Sequence, residues 1–139
     1  MNNIILKAEN LTKTFKQGKE DIEVFKDLNL EIESGKLVTI LGESGSGKST
    51  LLQVIGLIQN YDSGKIFIAD ERADNLSDRR KTKLRGEKLG FVYQYHHLLS
   101  DFTALENVMM PLLISRTPKK EATKRATQML DNLGLSSRL

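Results

Sequence analysis

The chain has 139 residues, 39% of them hydrophobic and 28% charged, which is enough apolar material for one ordinary core and the charge content of a typical soluble domain. With 21 basic against 18 acidic residues, the net charge of +3 is too balanced to announce a nucleic-acid binder. The absence of cysteine excludes disulfides, thiol catalysis and cysteine-ligated zinc or iron–sulfur centres.

The start, MNNIILKAEN, has neither the basic region nor the apolar length of a signal peptide. IILKAENLTKTF (4–15) and IEVFKDLNLEIE (22–33) alternate apolar with polar residues, which predicts two strands of an antiparallel layer with QGKED (17–21) as the turn. LVTIL (37–41) is almost wholly apolar and is expected to be a parallel strand buried on both faces. It leads into LGESGSGKST (41–50). Leu51, Leu52, Ile55 and Ile58 then mark a helix from Gly47, with Gly56 as its weak point.

DSG (62–64) turns into a short strand, KIFIA. SDRRKTKLRGEK (77–88) predicts a strongly basic helix capped by Ser77, and FVYQ (91–94) a buried strand. Two helices follow, over 103–115 and 118–133, the second with Thr117 as cap, Pro118 in the first turn and Gly134 as the stop. Leu105, Val108, Met109 and Leu112 form a core stripe, which Met110, Leu113 and Ile114 widen beyond one face. VMMPLLI (108–114), the longest apolar piece, is far below the roughly 20 residues that cross a bilayer. A soluble cytoplasmic domain is therefore expected, unless a partner tethers it. There is no internal repeat, low-complexity tract or linker.

Gly42, four residues, then Gly47-Lys48-Ser49 satisfy G-x-x-x-x-G-K-[ST]. A chance match in a chain of this length has a probability of roughly one in a hundred or less. A predicted strand before it and a helix after it are the context that such a phosphate-binding loop needs. Glycines 42, 45 and 47 let successive N–H groups point at phosphate oxygens, and the helix N-terminus adds its dipole. Glu43, Ser44 and Ser46 complete the loop. Lys48 places a compact positive charge at the β- and γ-phosphates, the Ser49 hydroxyl suits Mg²⁺, and Thr50 reaches the α-phosphate. The bland alternative is a Gly/Ser surface loop before a helix. Thr82-Lys83-Leu84-Arg85 begins a guanine-specifying motif but lacks its aspartate, so ATP is favoured over GTP.

Four stretches in order resemble the ATP-binding subunits of ABC transporters: LTKTF, SGSGKSTLL, FVYQ and LGFVYQYHHLLSDFTALENVMMPLLI. The last is similar to the branch that powers lipoprotein release. Macrolide-export and cell-division ATPases are its close alternatives. The resemblance implies an α/β fold: a P-loop NTPase core with an N-terminal antiparallel β layer and the start of a helical subdomain. Residues 1–94 would hold the β layer and the P-loop core, and 95–139 the Q-loop and the helical start.

It also implies that Phe15 stacks on adenine and that Gln94 contacts Mg²⁺ and the attacking water, so Ser49 and Gln94 become the metal ligands. Phe15 also suits a core aromatic, and Gln94 a surface amide. His96 and His97 lack the spacing of paired ligands on one helix face. The basic run at 79–85 suits a solvated helix face. The implied partners are transmembrane subunits, met through the Q-loop and the 103–115 helix, and a second ATPase in a head-to-tail dimer; no nucleic acid is expected. The implied location is peripheral, on the cytoplasmic face of the inner membrane.

No LSGGQ signature, no Walker B strand ending in Asp-Glu and no switch histidine follow the P-loop. Hydrolysis coupled to transport is therefore expected only of a complete ATPase. These 139 residues alone are expected to bind ATP weakly, turn it over negligibly and tend to aggregate; a non-catalytic nucleotide-binding module or a gene remnant is the alternative.

Overall fold

In the computed structural model, described for residues 3–18 and 20–135, the chain divides into two units, Met1–Gly90 and Phe91–Leu139. Lys19 of the expected first turn, and the SSRL end, lie outside the described residues.

The first unit is built on β1 (Ile4–Gln17) and β2 (Glu20–Glu33), which pair antiparallel as their alternation predicts. Adding β3 (Ser63–Ile68) and β4 (Glu71–Arg72) gives one antiparallel sheet in the order β2-β1-β3-β4. Simple alternation would send Ala8 and Leu11 to opposite faces, yet both are buried. Asn10 between them takes a left-handed conformation (φ 48°), and the register with β2 shifts across this point. One extra residue reverses the parity of the strand.

Asp27 (φ 48°) does the same for β2, so that Phe25 and Leu28 both pack on the core. Asn and Asp tolerate this region better than other side-chain-bearing residues. Here Asn29 secures both bulges: its Oδ1 accepts from the Asn10 amide at 3.0 Å, and its Nδ2 donates to the Asp27 carbonyl at 2.9 Å. Gly64 (φ 111°) at the start of β3 lies against the same place. A Cβ there would come within 2.7 Å of the Asn10 carbonyl oxygen and of the Leu11 Cα.

The helices α1 (Lys48–Ile55) and α2 (Asp78–Lys88) contribute Val54, Ile55 and Leu84 to the core formed with Ala8, Leu11, Ile66 and Ile68. α1 stops earlier than its periodicity suggests. Gly56 caps it and Leu57 (φ 59°) turns left-handed, with the Leu57 and Ile58 amides donating to the Val54 and Gln53 carbonyls. The cost of a left-handed leucine is offset by its burial and by Arg85 of α2, which donates to the Leu57 carbonyl at 2.7 Å. Ser77 occupies the N-cap of α2 but makes no side-chain capping bond.

The Tyr61 hydroxyl is buried with no hydrogen-bond partner among the described residues, and burial pushes its pKa up to about 12.

Two expected strands do not form. Residues 36–43 and 91–93 are irregular, and Leu37, Leu41 and Val92 are almost fully exposed. An apolar run becomes a strand only when neighbours take up its N–H and C=O groups, and among the described residues no segment pairs with either one.

The second unit holds α3 (Ala104–Ile114) and α4 (Lys119–Asn132), joined by a short turn. The expected stripe on α3 is the packed face: Met109 is buried with Ala122 and Ala126 of α4, flanked by Leu105, Val108 and Leu112. α4 begins one residue later than expected, with Pro118 rather than Thr117 at the cap position. It ends at Gly134 (φ 71°), where the Gly134 and Leu135 amides donate to the Asp131 and Leu130 carbonyls.

α3 carries a complete capping box. The Thr103 hydroxyl accepts from the Glu106 amide, and Glu106 Oε2 accepts from the Thr103 amide at 2.9 Å. The Thr103 backbone bond, then its hydroxyl and then Lys119 hold the Glu106 carboxyl below its ordinary value of 4.5.

Gly86 lies inside α2 with open space where a Cβ would stand, so Gly86→Ala should stabilise by about 0.5–1 kcal/mol in urea titration, whereas Gly64→Ala should destabilise by more than about 1 kcal/mol. The Glu106 box is stabilising above the unfolded carboxyl's pKa and is lost as pH falls through the depressed folded value. Far-UV circular dichroism of Glu106→Gln should therefore lack the acid-side loss of helix shown by the natural chain.

Candidate functional site

The loop between residue 41 and α1 takes its shape from its own side chains. The Ser46 amide donates to the Glu43 carbonyl at 3.3 Å, closing a turn through Ser44 and Gly45 (φ 80°). Gly47 (φ 87°, ψ 5°) then delivers the chain into α1 as its N-cap, with no side-chain cap. The first-turn amides of Lys48, Ser49 and Thr50 thus precede the first helical bond, that of the Leu51 amide to the Gly47 carbonyl. No acidic residue occupies that first turn.

Lys48 folds back over the loop. Its Nζ donates to the Gly42 carbonyl at 2.9 Å, to the Glu43 carbonyl and to Ser46 Oγ at 3.3 Å. All three acceptors are neutral, so the ammonium group has its donors satisfied while, among the described residues, its charge has no carboxylate partner. A Cβ on Gly42 would stand 2.8 Å from Ser46 Oγ, within the space the loop closes.

Neighbouring elements hold the loop from outside. The β1–β2 register passes from Lys13↔Phe25 to Thr14↔Glu23, leaving Val24 as a bulge residue. A Cβ added to Gly47 would lie 2.4 Å from Val24 Cγ1, so this bulge abuts the loop's last glycine. Further along the same hairpin, Phe15 pairs with Ile22 and is 37% exposed. Lys13 Nζ stands 4.7 Å from the Phe15 ring centroid, a cation over an aromatic face. The first unit therefore brings Phe15, Val24, Gly42 and Lys48 onto one framework.

Gln94 lies in the second unit, exposed on an irregular segment. Around it Phe91 stacks on Tyr93 at 5.8 Å, and Tyr93 meets His97 (φ 48°) edge-on at 4.9 Å. Val24 and Lys13 were not legible as site residues. Lys13 stands two positions from Phe15 on one strand, a spacing that places them on one face; no sequence signal announced the bulge at Val24.

Residues 25–139 match the family described as ABC transporter. The lipoprotein-releasing system ATP-binding protein LolD of Paramagnetospirillum magneticum is 48% identical over 99% of this chain and 61% of its own length. The protein of the same name from Pseudomonas fluorescens is 49% identical over 97% of this chain and 60% of its own. The ATP-binding cassette MJ0796, solved as a dimer in a post-hydrolysis state with ADP and phosphate, superposes with a TM-score of 0.81 at 40% identity, covering 91% of this chain and 56% of that one. A second dimeric structure of that cassette gives 0.82. The fold is thus that of the ABC ATPase cassette, and the chain spans about three-fifths of the length of the curated relatives it matches.

Gly47→Ala should destabilise the first unit by more than about 1 kcal/mol, through both its left-handed backbone and the Val24 contact. Adding Val24→Ala should restore only the steric part. A double-mutant cycle of thermal midpoints reads the two contributions separately.

Proposed function

The chain belongs to the ABC transporter family, and from that premise we propose that it binds Mg-ATP through residues 42–50 as part of the ATP-binding subunit that powers release of lipoproteins from the inner membrane. The observation that carries this reading is Lys48, an ammonium group held by the Gly42 and Glu43 carbonyls and Ser46 Oγ, with no carboxylate partner among the described residues. Such a site favours a polyanion over water, because anionic oxygens supply both charge and acceptors to donors already fixed in direction.

In this reading the amides of Gly45, Gly47, Lys48, Ser49 and Thr50 surround the phosphate chain, and the Lys48 ammonium moves from the loop carbonyls to the β- and γ-phosphate oxygens. The Ser49 hydroxyl would be a ligand for Mg²⁺, which would neutralise phosphate charge. Phe15 offers the base an aromatic face. Hydrolysis belongs to an assembly that also presents a signature motif and a Walker B glutamate.

No helix among the described residues is long and apolar enough to cross a membrane. In this reading the second unit meets membrane-embedded subunits through its Q-loop segment and α3. The exposed Leu98, Leu99, Phe102 and Ile114 there support that assignment. The complete ATPase would dimerise head to tail and sit peripherally on the cytoplasmic face.

Calorimetric titration with Mg-ATP is the test. Lys48→Ala should weaken binding by about tenfold or more, since a charge-assisted hydrogen bond contributes about 1.5–3 kcal/mol. Ser49→Ala should weaken binding with Mg²⁺ present and change little with EDTA. Unaltered affinity in Lys48→Ala would remove the basis of the assignment.

A further inference from the structure

β3 pairs with β1 only from Leu6 to Thr12, opposite Ser63 where β3 begins. The stretch of β1 beyond, which carries Phe15, has no strand on that edge, and Asp62 takes the place of one. The Asp62 amide donates to the Thr12 carbonyl at 3.0 Å, and its Oδ2 accepts from the Thr14 amide at 2.6 Å. Asp62 therefore gives β1 what one more strand residue would give, with its carboxylate standing in for a main-chain carbonyl. A bond from an N–H to a carboxylate is charge-assisted and stronger than the ladder bond it replaces.

Thr14 is a sensitive place for such a bond. The β1–β2 register slips here, from Lys13↔Phe25 to Thr14↔Glu23, and the residue left over is Val24, which lies against Gly47 of the phosphate-binding loop. Thr14 also stands between Lys13 and Phe15, the cation and the ring it covers. Asp62 in turn is tied to the helix that the loop starts. The Ile58 and Gln59 amides both donate to the Gln53 carbonyl of α1, at 2.8 and 3.1 Å, and Arg85 holds the Leu57 carbonyl. Two routes thus run from the loop to Phe15, one through Val24 and the other through α1 and Asp62, and they meet at Thr14. A bond that fixes the Thr14 amide fixes where the register slips.

We infer that Asp62 is a positioning residue for nucleotide selectivity: its carboxylate holds the Thr14 main chain and so sets Phe15 at a fixed span from the phosphate-binding loop, favouring a nucleoside triphosphate over a triphosphate without a base. This inference rests on the reading of residues 42–50 as the phosphate cradle and of Phe15 as the base platform. Fixing the span before the ligand arrives removes an ordering cost from binding.

Calorimetric titration of the 139-residue chain with Mg-ATP and with Mg-tripolyphosphate tests it, since only the first ligand carries a base. Asp62→Ala should weaken Mg-ATP binding about fivefold, the worth of one net hydrogen bond, and leave Mg-tripolyphosphate binding unchanged. Asp62→Asn keeps an oxygen acceptor for the Thr14 amide and should recover most of that loss. Equal losses for both ligands in Asp62→Ala would reduce Asp62 to a support of the fold, and Asp62→Asn behaving as Asp62→Ala would deny the Thr14 bond its role; either result overturns the inference. Phe15→Ala separates it from the reading beneath, and should likewise weaken Mg-ATP alone. If Phe15→Ala changes neither affinity, the base-platform reading fails and the inference falls with it. If Phe15→Ala weakens Mg-ATP and Asp62→Ala does not, the platform stands and the positioning role falls.

Discussion

The first unit depends on the parity reversal in β1. A half-buried strand offers one face to the core, and Ala8 and Leu11 can share that face only because Asn10 inserts an extra left-handed residue between them. The matching reversal at Asp27 keeps β2 in step, and Asn29 fastens both. Gly64 can approach the backbone there because it has no side chain. Val54 and Ile55 of α1 and Leu84 of α2 are buried in one core with Ala8, Leu11, Ile66 and Ile68 of this sheet, so the start of α1 and the loop before it are placed by a sheet that these bulges keep in step.

The loop itself illustrates how a charge can be kept ready without being neutralised. An acidic partner for Lys48 would hold the side chain more firmly and cancel the charge it presents to an anion. Carbonyl and hydroxyl oxygens orient the ammonium group at little electrostatic cost to an incoming anion. The same economy of shape recurs at Gly47, where a left-handed backbone and the contact with Val24 leave no room for a Cβ. The second unit uses a different device, since its polar side chains Thr103, Glu106 and Asn107 fix a helix start and a turn while apolar side chains remain in solvent.

Much of this was legible beforehand. Alternation in 4–15 and 22–33 marked the hairpin, the stripe Leu105, Val108, Met109 and Leu112 marked the packed face of α3, and Gly134 marked the end of α4. These signals are local: each reads a backbone preference or a periodicity within one segment. The strands expected at 37–41 and 91–94 failed because strand formation is a property of pairs. An apolar run states what a strand would bury but supplies none of the hydrogen bonds that make it one.

The sequence by itself determined the composition of the loop, because spacing along the chain fixes which residues a tight glycine turn brings together: Gly42, Gly47, Lys48 and Ser49 are near one another in any fold that starts a helix there. It determined the family for the same reason, through short motifs whose order survives without a sheet around them. Tertiary structure alone decided that Val24 abuts Gly47, that Arg85 steadies the left-handed Leu57, and that Lys13 stands over Phe15. Those contacts depend on register and on bulges, where one inserted residue redirects every side chain beyond it, and no periodicity in a single segment reports where that insertion falls.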